Sequence, residues 1–269
     1  MIPKRIHYCW FGGNELGEIE QKCIQSWRKY LPGWEIIEWN ENNYDINKAP
    51  YTKEAYTQKK WAFVSDVVRL EILYKHGGLY FDTDVELIKP IDDIIEKGDF
   101  MGIESYDNGK IFVNPGLIMG MEPGNPVVKD ILETYKDNHF FRGEHNSSKC
   151  TIVERTTKIL KDKYRMKNEN CLQKLKDINI YPCFYFCPMN YQTGEMNITE
   201  DTHSIHWYSS SWLTEKQKKR MEVTRRINNS IPSFLAKAIS FVYLKCGAVK
   251  DIFVRSGIRG ILKRIFHIT

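Results

Sequence analysis

The chain has 269 residues, enough for one large folded domain or for a core domain with a smaller appendage. With 42% hydrophobic and 27% charged residues, the composition excludes a disordered or fibrous protein. Residues 216–269 hold thirteen Lys or Arg and two acidic residues, so their net charge is +11. Since the whole chain has a net charge of +5, the first 215 residues have a net charge of −6. This asymmetry indicates a basic tail, not a nucleic-acid-binding body.

The cysteines and the hydropathy of the chain predict the cellular compartment of the protein. Seven cysteines with no Cys-x-x-Cys pair predict neither a disulfide framework nor a zinc ribbon. Cys183 and Cys187 lie in an aromatic run and are predicted to be core residues. No signal peptide is recognised at the start, and no segment reaches the ~18 apolar residues of a spanning helix. We therefore expect a reduced, cytoplasmic protein.

The first forty residues show a strand, a helix and a second strand. Alternating apolar residues predict strands over 6–10 and 34–39, and helical spacing of apolar residues predicts a helix over 16–31. Such a βαβ opening predicts an α/β fold with a parallel sheet. Ligands of these sheets bind at the carboxyl ends of the strands, where Trp10 lies.

The later elements follow the same kind of pattern. The pattern of residues 61–76 predicts a helix with apolar side chains on nearly every face, and such a helix is expected to be buried. A strand is predicted at 79–81, directly before Asp82-Thr83-Asp84. Further expected elements are a strand or strand pair over 111–119, helices over 127–135 and 152–160, and a strand over 178–186.

Asp82 and Asp84 are the first candidates for chemistry. In an extended backbone, residues two apart project to the same side, so we expect their carboxylates to lie together. Two hard oxygen ligands at this spacing suit Mg²⁺ or Mn²⁺. The alternative is a solvated Asp-Thr-Asp turn without function.

Asp66 and Arg69 lie three apart in the predicted buried helix, so they share one face. Charges in an apolar helix are costly unless they are paired or bind a ligand. Either a structural ion pair or a ligand site explains them. The helix leads through Gly77-Gly78 to the Asp pair, which favours one cleft with four charged groups.

Two sequence blocks together resemble the DXD-containing sugar transferases of glycosyltransferase family 32. The blocks are Ile2-Pro3-Lys4-x-Ile6-His7-x-x-Trp10-x-Gly12 and Ala62-x-x-Ser65-Asp66-x-x-Arg69 with Gly77-Gly78-Leu79-Tyr80-Phe81-Asp82-Thr83-Asp84. The family includes fungal α-mannosyltransferases and bacterial capsular-polysaccharide enzymes, and both blocks are also similar to glucosylating bacterial toxins. The resemblance covers residues 1–125, extends to Trp212, and is absent beyond.

The resemblance implies a GT-A fold, a Rossmann-like α/β domain that binds nucleotide sugars. It implies that Trp10 stacks on the nucleobase, and that Ser65, Asp66 and Arg69 belong to the donor-sugar site. Asp82 would contact the ribose and sugar, and Asp84 would hold the Mn²⁺ or Mg²⁺ that bridges the diphosphate. A divalent ion stabilises the charge of a departing nucleoside diphosphate without proton transfer. The implied donor is a UDP- or GDP-hexose, transferred with retention.

The resemblance also implies a closing segment that returns to the donor site. In His206-Trp207-Tyr208-Ser209-Ser210-Ser211-Trp212, His206 would be the third metal ligand and Ser210 and Trp212 would lie near the phosphates. His203 competes with His206 for that position. Asn114, in Val-Asn-Pro-Gly, resembles the family's Asn beside the transferred sugar. Candidates for acceptor binding, each equally explained as a solvated loop residue, are Glu104, Asp107, His139, Glu144 and His145.

We therefore expect a GT-A catalytic domain at 1–215 and a basic, amphipathic helical appendage at 216–269. Within it, residues 231–269 are predicted either to bind an anionic membrane surface or to pack on the catalytic domain. The expected acceptor is a glycan, such as a capsular or other cell-surface polysaccharide, or a lipid-linked saccharide. Two alternatives remain open: a haloacid-dehalogenase-like phosphatase, whose pattern does not fit Glu86, and an inactive transferase fold that acts as a binding protein.

Overall fold

The computed structural model describes residues 1–107, 110–140, 151–191, 193–209 and 215–230. These residues form eight helices and ten strands. The strands are β1 (Arg5–Cys9), β2 (Glu35–Trp39), β3 (Gly78–Tyr80), β4 (Val85–Leu87), β5 (Phe100–Asp107), β6 (Lys110–Val113), β7 (Met119–Met121), β8 (Gln173–Lys174), β9 (Asn179–Tyr181) and β10 (Ser204–His206). The helices are α1 (Glu18–Tyr30), α2 (Pro50–Thr57), α3 (Trp61–His76), α4 (Asp92–Ile95), α5 (Pro126–Glu133), α6 (Ile152–Tyr164), α7 (Cys183–Phe186) and α8 (Glu215–Ser230).

The described residues fall into two compact units. The first lies within Met1–Met189 and Met196–Trp212, and the second within Asn190–Glu195 and Leu213–Thr269. In the second unit, Arg225 of α8 donates from Nε to the Tyr191 carbonyl at 3.2 Å. The domain boundary between residues 215 and 216 stays a prediction. The basic segment 231–269 lies outside the described residues, and none of the described helices is long and apolar enough to cross a membrane.

The main sheet has the strand order β2-β1-β3-β7-β5-β9-β8, with β6 paired to β5. The predicted βαβ opening is confirmed, since β1 pairs in parallel with both β2 and β3. The sheet is not parallel throughout, because β7 runs antiparallel to both β3 and β5. β6 already runs antiparallel to β5, and β7 keeps that direction after the turn residues around Pro115-Gly116.

Two predictions were wrong in detail. The expected strand over 178–186 is divided: β9 ends at Tyr181, and the helix α7 begins after Pro182. The Asn170 side chain accepts from the Cys183 amide at 2.9 Å, which caps this turn from outside the segment. Cys187 is buried as predicted, whereas Cys183 is only partly buried.

Helix α3 occupies the centre of the fold, as its apolar pattern predicts. Most of its residues from Val64 to Leu73 are buried, including Asp66 and Arg69. It ends at Gly77, whose φ of 61° is a conformation that glycine adopts without strain. The chain then enters β3 in the middle of the sheet. This path delivers the segment 81–84 to the carboxyl edge of β1 and β3.

His7 fixes that path from inside the sheet. Its ring is completely buried, accepts at Nδ1 from the Trp39 indole at 3.1 Å, and donates from Nε2 to the Gly77 carbonyl at 2.9 Å. Burial lowers the pKa of His7 to about 4, against the opposing effect of the Gly77 carbonyl. The imidazole is therefore neutral in the folded protein at neutral pH.

We expect His7 to make the fold sensitive to acid. Its pKa is 6.5 in the unfolded chain and about 4 in the folded protein, so the unfolded state binds the extra proton between these values. The free energy of unfolding then falls by about 3 kcal/mol between pH 6.5 and pH 4 through this group. Urea unfolding across this range should show a shallower dependence on pH for His7→Gln than for the wild type. Parallel curves for the two proteins would show that His7 is not responsible.

Candidate functional site

The first part of the site is an ion cluster centred on Arg69. Its guanidinium contacts Asp82 through two nitrogens, Nη1 to Oδ2 at 3.2 Å and Nη2 to Oδ1 at 3.1 Å. Nη2 also lies 3.3 Å from Asp66 Oδ1, and Nε donates to the Ser65 carbonyl at 3.0 Å. The predicted proximity of Asp66 and Arg69 is confirmed.

The surroundings of this cluster set its charge. Arg69 is 3% exposed, and its guanidinium lies 4.8 Å from the centre of the Tyr80 ring. Burial on its own lowers the pKa of Arg69, but Asp82 outweighs this effect and the pKa is raised. Burial raises the pKa of Asp66 to about 7, and the nearby Asp82 charge adds to the rise against the opposing effect of Arg69. The Asp82 side chain is 30% exposed, so one carboxylate of the cluster reaches solvent.

The second part of the site is the pair formed by Asp84 and His206. Asp84 is 7% exposed, and its Oδ1 lies 3.2 Å from His206 Nε2. Its Oδ2 accepts from the Ser209 amide at 2.8 Å and from the Ser209 hydroxyl at 3.0 Å. Antiparallel pairing of β4 with β10 places His206 opposite Val85, directly after Asp84. This pairing brings the two residues together across more than a hundred positions of sequence.

Asp84 is a fully ionised carboxylate. Burial on its own raises its pKa, but the contact with His206 and the hydrogen bonds from Ser209 outweigh burial and lower the pKa to about 2. Burial on its own lowers the pKa of His206, and Asp84 reverses this, so the pKa of the imidazole is raised well above its ordinary value. The two groups therefore carry opposite charges at neutral pH.

A tight turn joins the two parts. The Val85 amide donates to the Asp82 carbonyl at 3.1 Å, and residues 83 and 84 form the turn. The expectation that an extended backbone places both carboxylates on one side is therefore wrong. The chain must reverse from β3 into β4, and the turn directs Asp82 to Arg69 and Asp84 to His206. Asp82 also accepts from the Tyr80 hydroxyl at 3.0 Å.

Gly116 lies against the Asp82 carboxylate. Its carbonyl accepts from the Asp82 amide at 2.8 Å, and its own amide donates to Asn114 Oδ1 at 2.7 Å. A Cβ atom at Gly116 would lie 1.9 Å from Asp82 Oδ2 and 2.5 Å from Arg69 Nη1. Both distances are far inside van der Waals contact, so a side chain at this position must displace the ion pair.

We expect Gly116→Ala to damage the site more than the fold. The added methyl pushes Asp82 from Arg69, which should destabilise the protein by about 1–3 kcal/mol and lower any activity that uses the pair at least about tenfold. Gly17→Ala is the control, because a Cβ there meets mainly the flexible end of Glu20. The measurements are urea unfolding and donor hydrolysis for both variants. Equal activity in the two variants would contradict this role of Gly116.

The remaining predicted residues lie in different places. Trp10 follows β1, is only half-buried, and donates from its indole to the Asn14 carbonyl at 2.6 Å. The hydroxyl of Ser65 donates to the Trp61 carbonyl at 3.1 Å, within its own helix. His203 contacts the Pro90 carbonyl through Nδ1 at 2.7 Å and stacks on Tyr185, so of the two histidines it is His206 that lies beside Asp84.

The candidates for acceptor binding also separate. Glu104 lies on β5, where its Oε1 accepts from Asn114 Nδ2 at 3.0 Å. His139 contacts Glu54. Ser210, Trp212, Glu144, His145 and the Asp107 side chain lie outside the described part of the structure. Sequence reasoning assigned no role to Ser209, Tyr80 or Gly116, although each lies in a segment that resembles the family.

The donor set suits a divalent cation at Asp84 better than at Asp82. Asp84 is ionised and has an imidazole beside it. A cation that displaced the Nε2 proton of His206 would find the oxygen and nitrogen ligands that suit Mn²⁺. Both aspartates have both carboxylate oxygens engaged, Asp82 by Arg69 and Tyr80 and Asp84 by His206 and Ser209. The neighbouring imidazole is therefore what distinguishes Asp84. In the described ranges, no group of three or more His, Cys, Asp or Glu is arranged to hold a metal. The predicted set of Asp82, Asp84 and His206 as joint metal ligands stays a prediction.

Comparison with known proteins places this site in a family region. Residues 17–101 match the family described as the glycosyltransferase sugar-binding region containing the DXD motif. We call residues 17–101 the DXD region. This DXD region includes the whole Arg69 cluster and the turn from Asp82 to Asp84, whereas Asn114 and His206 lie beyond it. The predicted α/β fold class is confirmed, and the GT-A type stays a prediction from the resemblance.

Relatives of the DXD region cover the chain to different extents. An uncharacterized glycosyltransferase of Acanthamoeba polyphaga mimivirus is 28% identical over 225 residues, 79% of this chain and 84% of that protein. Inositol phosphoceramide mannosyltransferase 1 of Schizosaccharomyces pombe is 30% identical over 111 residues, 37% of this chain and 33% of that protein. The solved structure of the PaToxG glycosyltransferase has a TM-score of 0.45 at 19% identity, covering 60% of this chain and 69% of that chain.

Proposed function

We propose that this protein transfers a hexose from a nucleoside diphosphate sugar to a glycan acceptor, with a divalent cation at Asp84. The observation that carries the proposal is that two ion pairs flank one turn. Arg69 with Asp82 lies on one side, and His206 with Asp84 lies on the other. The family region over residues 17–101 supports a sugar nucleotide as the ligand of this turn.

The proposed donor site uses each group for one task. Asp82 is the carboxylate of its cluster that reaches solvent, so it is placed to accept hydrogen bonds from hydroxyls of the donor. Arg69 holds Asp82 at two points and keeps Asp66 beside it, which fixes the carboxylates before the donor arrives. Trp10, half-buried at the end of β1, offers an aromatic face for the nucleobase.

The proposed leaving-group site lies at Asp84. Asp84 and His206 would hold Mn²⁺ or Mg²⁺, and the bound cation would stabilise the negative charge on the departing diphosphate. Ser209 orients the Asp84 carboxylate through two hydrogen bonds to one oxygen. Ser210 and Trp212 remain predicted phosphate contacts. Retention of configuration and assignment to family 32 rest on the sequence resemblance.

A panel of nucleotide sugars tests this function. Purified protein is incubated with UDP- and GDP-hexoses and Mn²⁺, and released nucleoside diphosphate is measured. The proposal predicts release from one or a few donors, because the transferase also passes the sugar slowly to water. Release of inorganic phosphate from phosphate esters would favour the phosphatase alternative. Binding of a donor without release from any of them would favour an inactive binding protein.

The acceptor and the location are also part of the proposal. We propose a cell-surface polysaccharide or a lipid-linked saccharide as acceptor, and a cytoplasmic protein that contacts the inner membrane surface through residues 231–269. The support is the net charge of +11 over residues 216–269, since each basic residue near an anionic surface contributes about 1 kcal/mol. Flotation of the full chain with anionic liposomes tests the contact. Equal recovery with neutral and anionic liposomes would oppose it.

A further inference from the structure

Strand β5 is irregular at Glu104. Ile103 pairs with Val113, but Ser105 pairs with Phe112, so the register of the ladder shifts across Glu104. Bulges of this kind redirect a side chain and are common beside active sites. The Glu104 side chain is 19% exposed, and it points to the interior of the site and not to a loop. No periodic signal in the sequence could reveal this direction.

The Glu104 carboxylate lies between Asn114 and His206. Its Oε1 accepts from Asn114 Nδ2 at 3.0 Å, and the same oxygen lies 3.9 Å from His206 Nδ1. Asn114 leads through Gly116 to the Asp82 backbone, while His206 leads to the Asp84 carboxylate. Glu104 thus connects both aspartates of the turn through side-chain and backbone contacts.

His206 has one ring nitrogen without a defined role. Its Nε2 faces Asp84, whereas its Nδ1 is buried and has no partner with hydrogen-bond geometry among the residues that the structure describes. The Cys187 thiol, a weak hydrogen-bonding group, also lies beside the ring. A buried donor without a partner is costly. When a histidine binds a cation through one nitrogen, the other nitrogen keeps the proton and normally donates it to a carboxylate or carbonyl. Glu104 is the carboxylate placed nearest to that proton.

We propose that Glu104 is a positioning residue for His206, an inference that rests on the proposed function. Glu104 Oε1 accepts the Nδ1 proton, and this contact selects the tautomer whose Nε2 faces Asp84 and the cation. The present 3.9 Å separation must shorten by about 1 Å to reach hydrogen-bond distance. Asn114 holds the carboxylate in place, which links the sugar side of the site to the cation side.

Three variants test the proposal. Glu104→Ala removes the acceptor, Glu104→Gln keeps an acceptor oxygen without the charge, and Glu71→Ala is the matched control. Glu71 is a comparable carboxylate, 25% exposed, which accepts from Tyr44 and Lys48, neither of which belongs to the site. Mn²⁺ affinity is measured by electron paramagnetic resonance, and donor hydrolysis gives kcat and KM.

We expect Glu104→Ala to weaken Mn²⁺ binding and lower kcat by about 10-fold to 100-fold, the usual range for groups that orient a metal ligand. The donor KM should change much less than kcat. Glu104→Gln should recover most of the loss, because its amide oxygen still accepts the Nδ1 proton. Glu71→Ala should match the wild type in both measurements.

Two results would overturn the positioning role. One is a Glu104→Ala variant that behaves like Glu71→Ala, and the other is a Glu104→Gln variant as poor as Glu104→Ala. If the wild type releases no nucleoside diphosphate, the proposed function fails, and the ¹⁵N signal of His206 Nδ1 still tests the contact. That signal should change in Glu104→Ala and remain near its wild-type position in Glu104→Gln. An unchanged signal in Glu104→Ala would refute the contact itself.

Discussion

Asp84→Asn is expected to lower nucleoside diphosphate release by at least about 100-fold at saturating Mn²⁺. The asparagine side chain keeps one acceptor oxygen but has no charge, so it is a poor ligand for a hard divalent cation. It also loses the attraction to the charged imidazole of His206, which lies 3.2 Å away. The measurement is the initial rate of donor hydrolysis across a range of Mn²⁺ concentrations.

The control for this variant is Asp130→Asn. Asp130 also accepts from two side chains, Lys163 at 2.8 Å and Tyr164 at 3.0 Å, but it lies on α5 and its partners lie on α6. Its substitution should leave the rate within about twofold of the wild type. If Asp84→Asn retains half of the wild-type rate at the same Mn²⁺ concentration, Asp84 is not the cation ligand. Circular dichroism of both variants separates loss of the site from loss of the fold.

Arg69→Ala is expected to lower the free energy of unfolding by about 3–5 kcal/mol, because it leaves charged partners without their buried counter-ion. Asp66 and Asp82 both contact the guanidinium, which is 3% exposed. Arg69→Lys should recover only part of the loss, since an ammonium cannot contact Asp82 through two nitrogens in a fixed plane. Urea unfolding measures the stability of both variants. The rate of donor hydrolysis should also fall, because Arg69 no longer holds Asp82 in place.

Arg5→Ala is the comparison for this effect. Arg5 contacts Glu35 at 3.2 Å, but both side chains are largely exposed, 46% and 62%. Exposed pairs of this kind contribute at most about 1 kcal/mol. A loss in Arg69→Ala no greater than that in Arg5→Ala would mean that the buried cluster does not stabilise the fold. The role of the cluster would then be to bind the ligand and not to stabilise the fold.

Short-range patterns predicted a large part of this structure. The alternation in β1, the helical spacing in α1 and the apolar surface of α3 gave the βαβ opening and the buried helix. The i,i+3 spacing of Asp66 and Arg69 gave their contact, because helix geometry fixes the distance. The DXD pair was found because it follows an apolar strand. Each of these inferences depends on residues that are close in the chain.

Long-range contacts could not be predicted in the same way. β4 has three residues, too few for a period, and its partner β10 follows more than a hundred residues later. The turn at residues 83 and 84 therefore could not be distinguished from a continued strand, although it decides the partners of both aspartates. The role of Glu104 depends on a register shift in β5, which only the pairing with β6 reveals.

Nucleoside diphosphate release before and after chelation tests the central claim most directly. The wild-type protein is supplied with the donor chosen from the panel and Mn²⁺, then with excess EDTA, and finally with restored Mn²⁺. A cation held at Asp84 predicts that release stops on chelation and returns when Mn²⁺ is restored. Release that continues at an unchanged rate in EDTA would contradict the account.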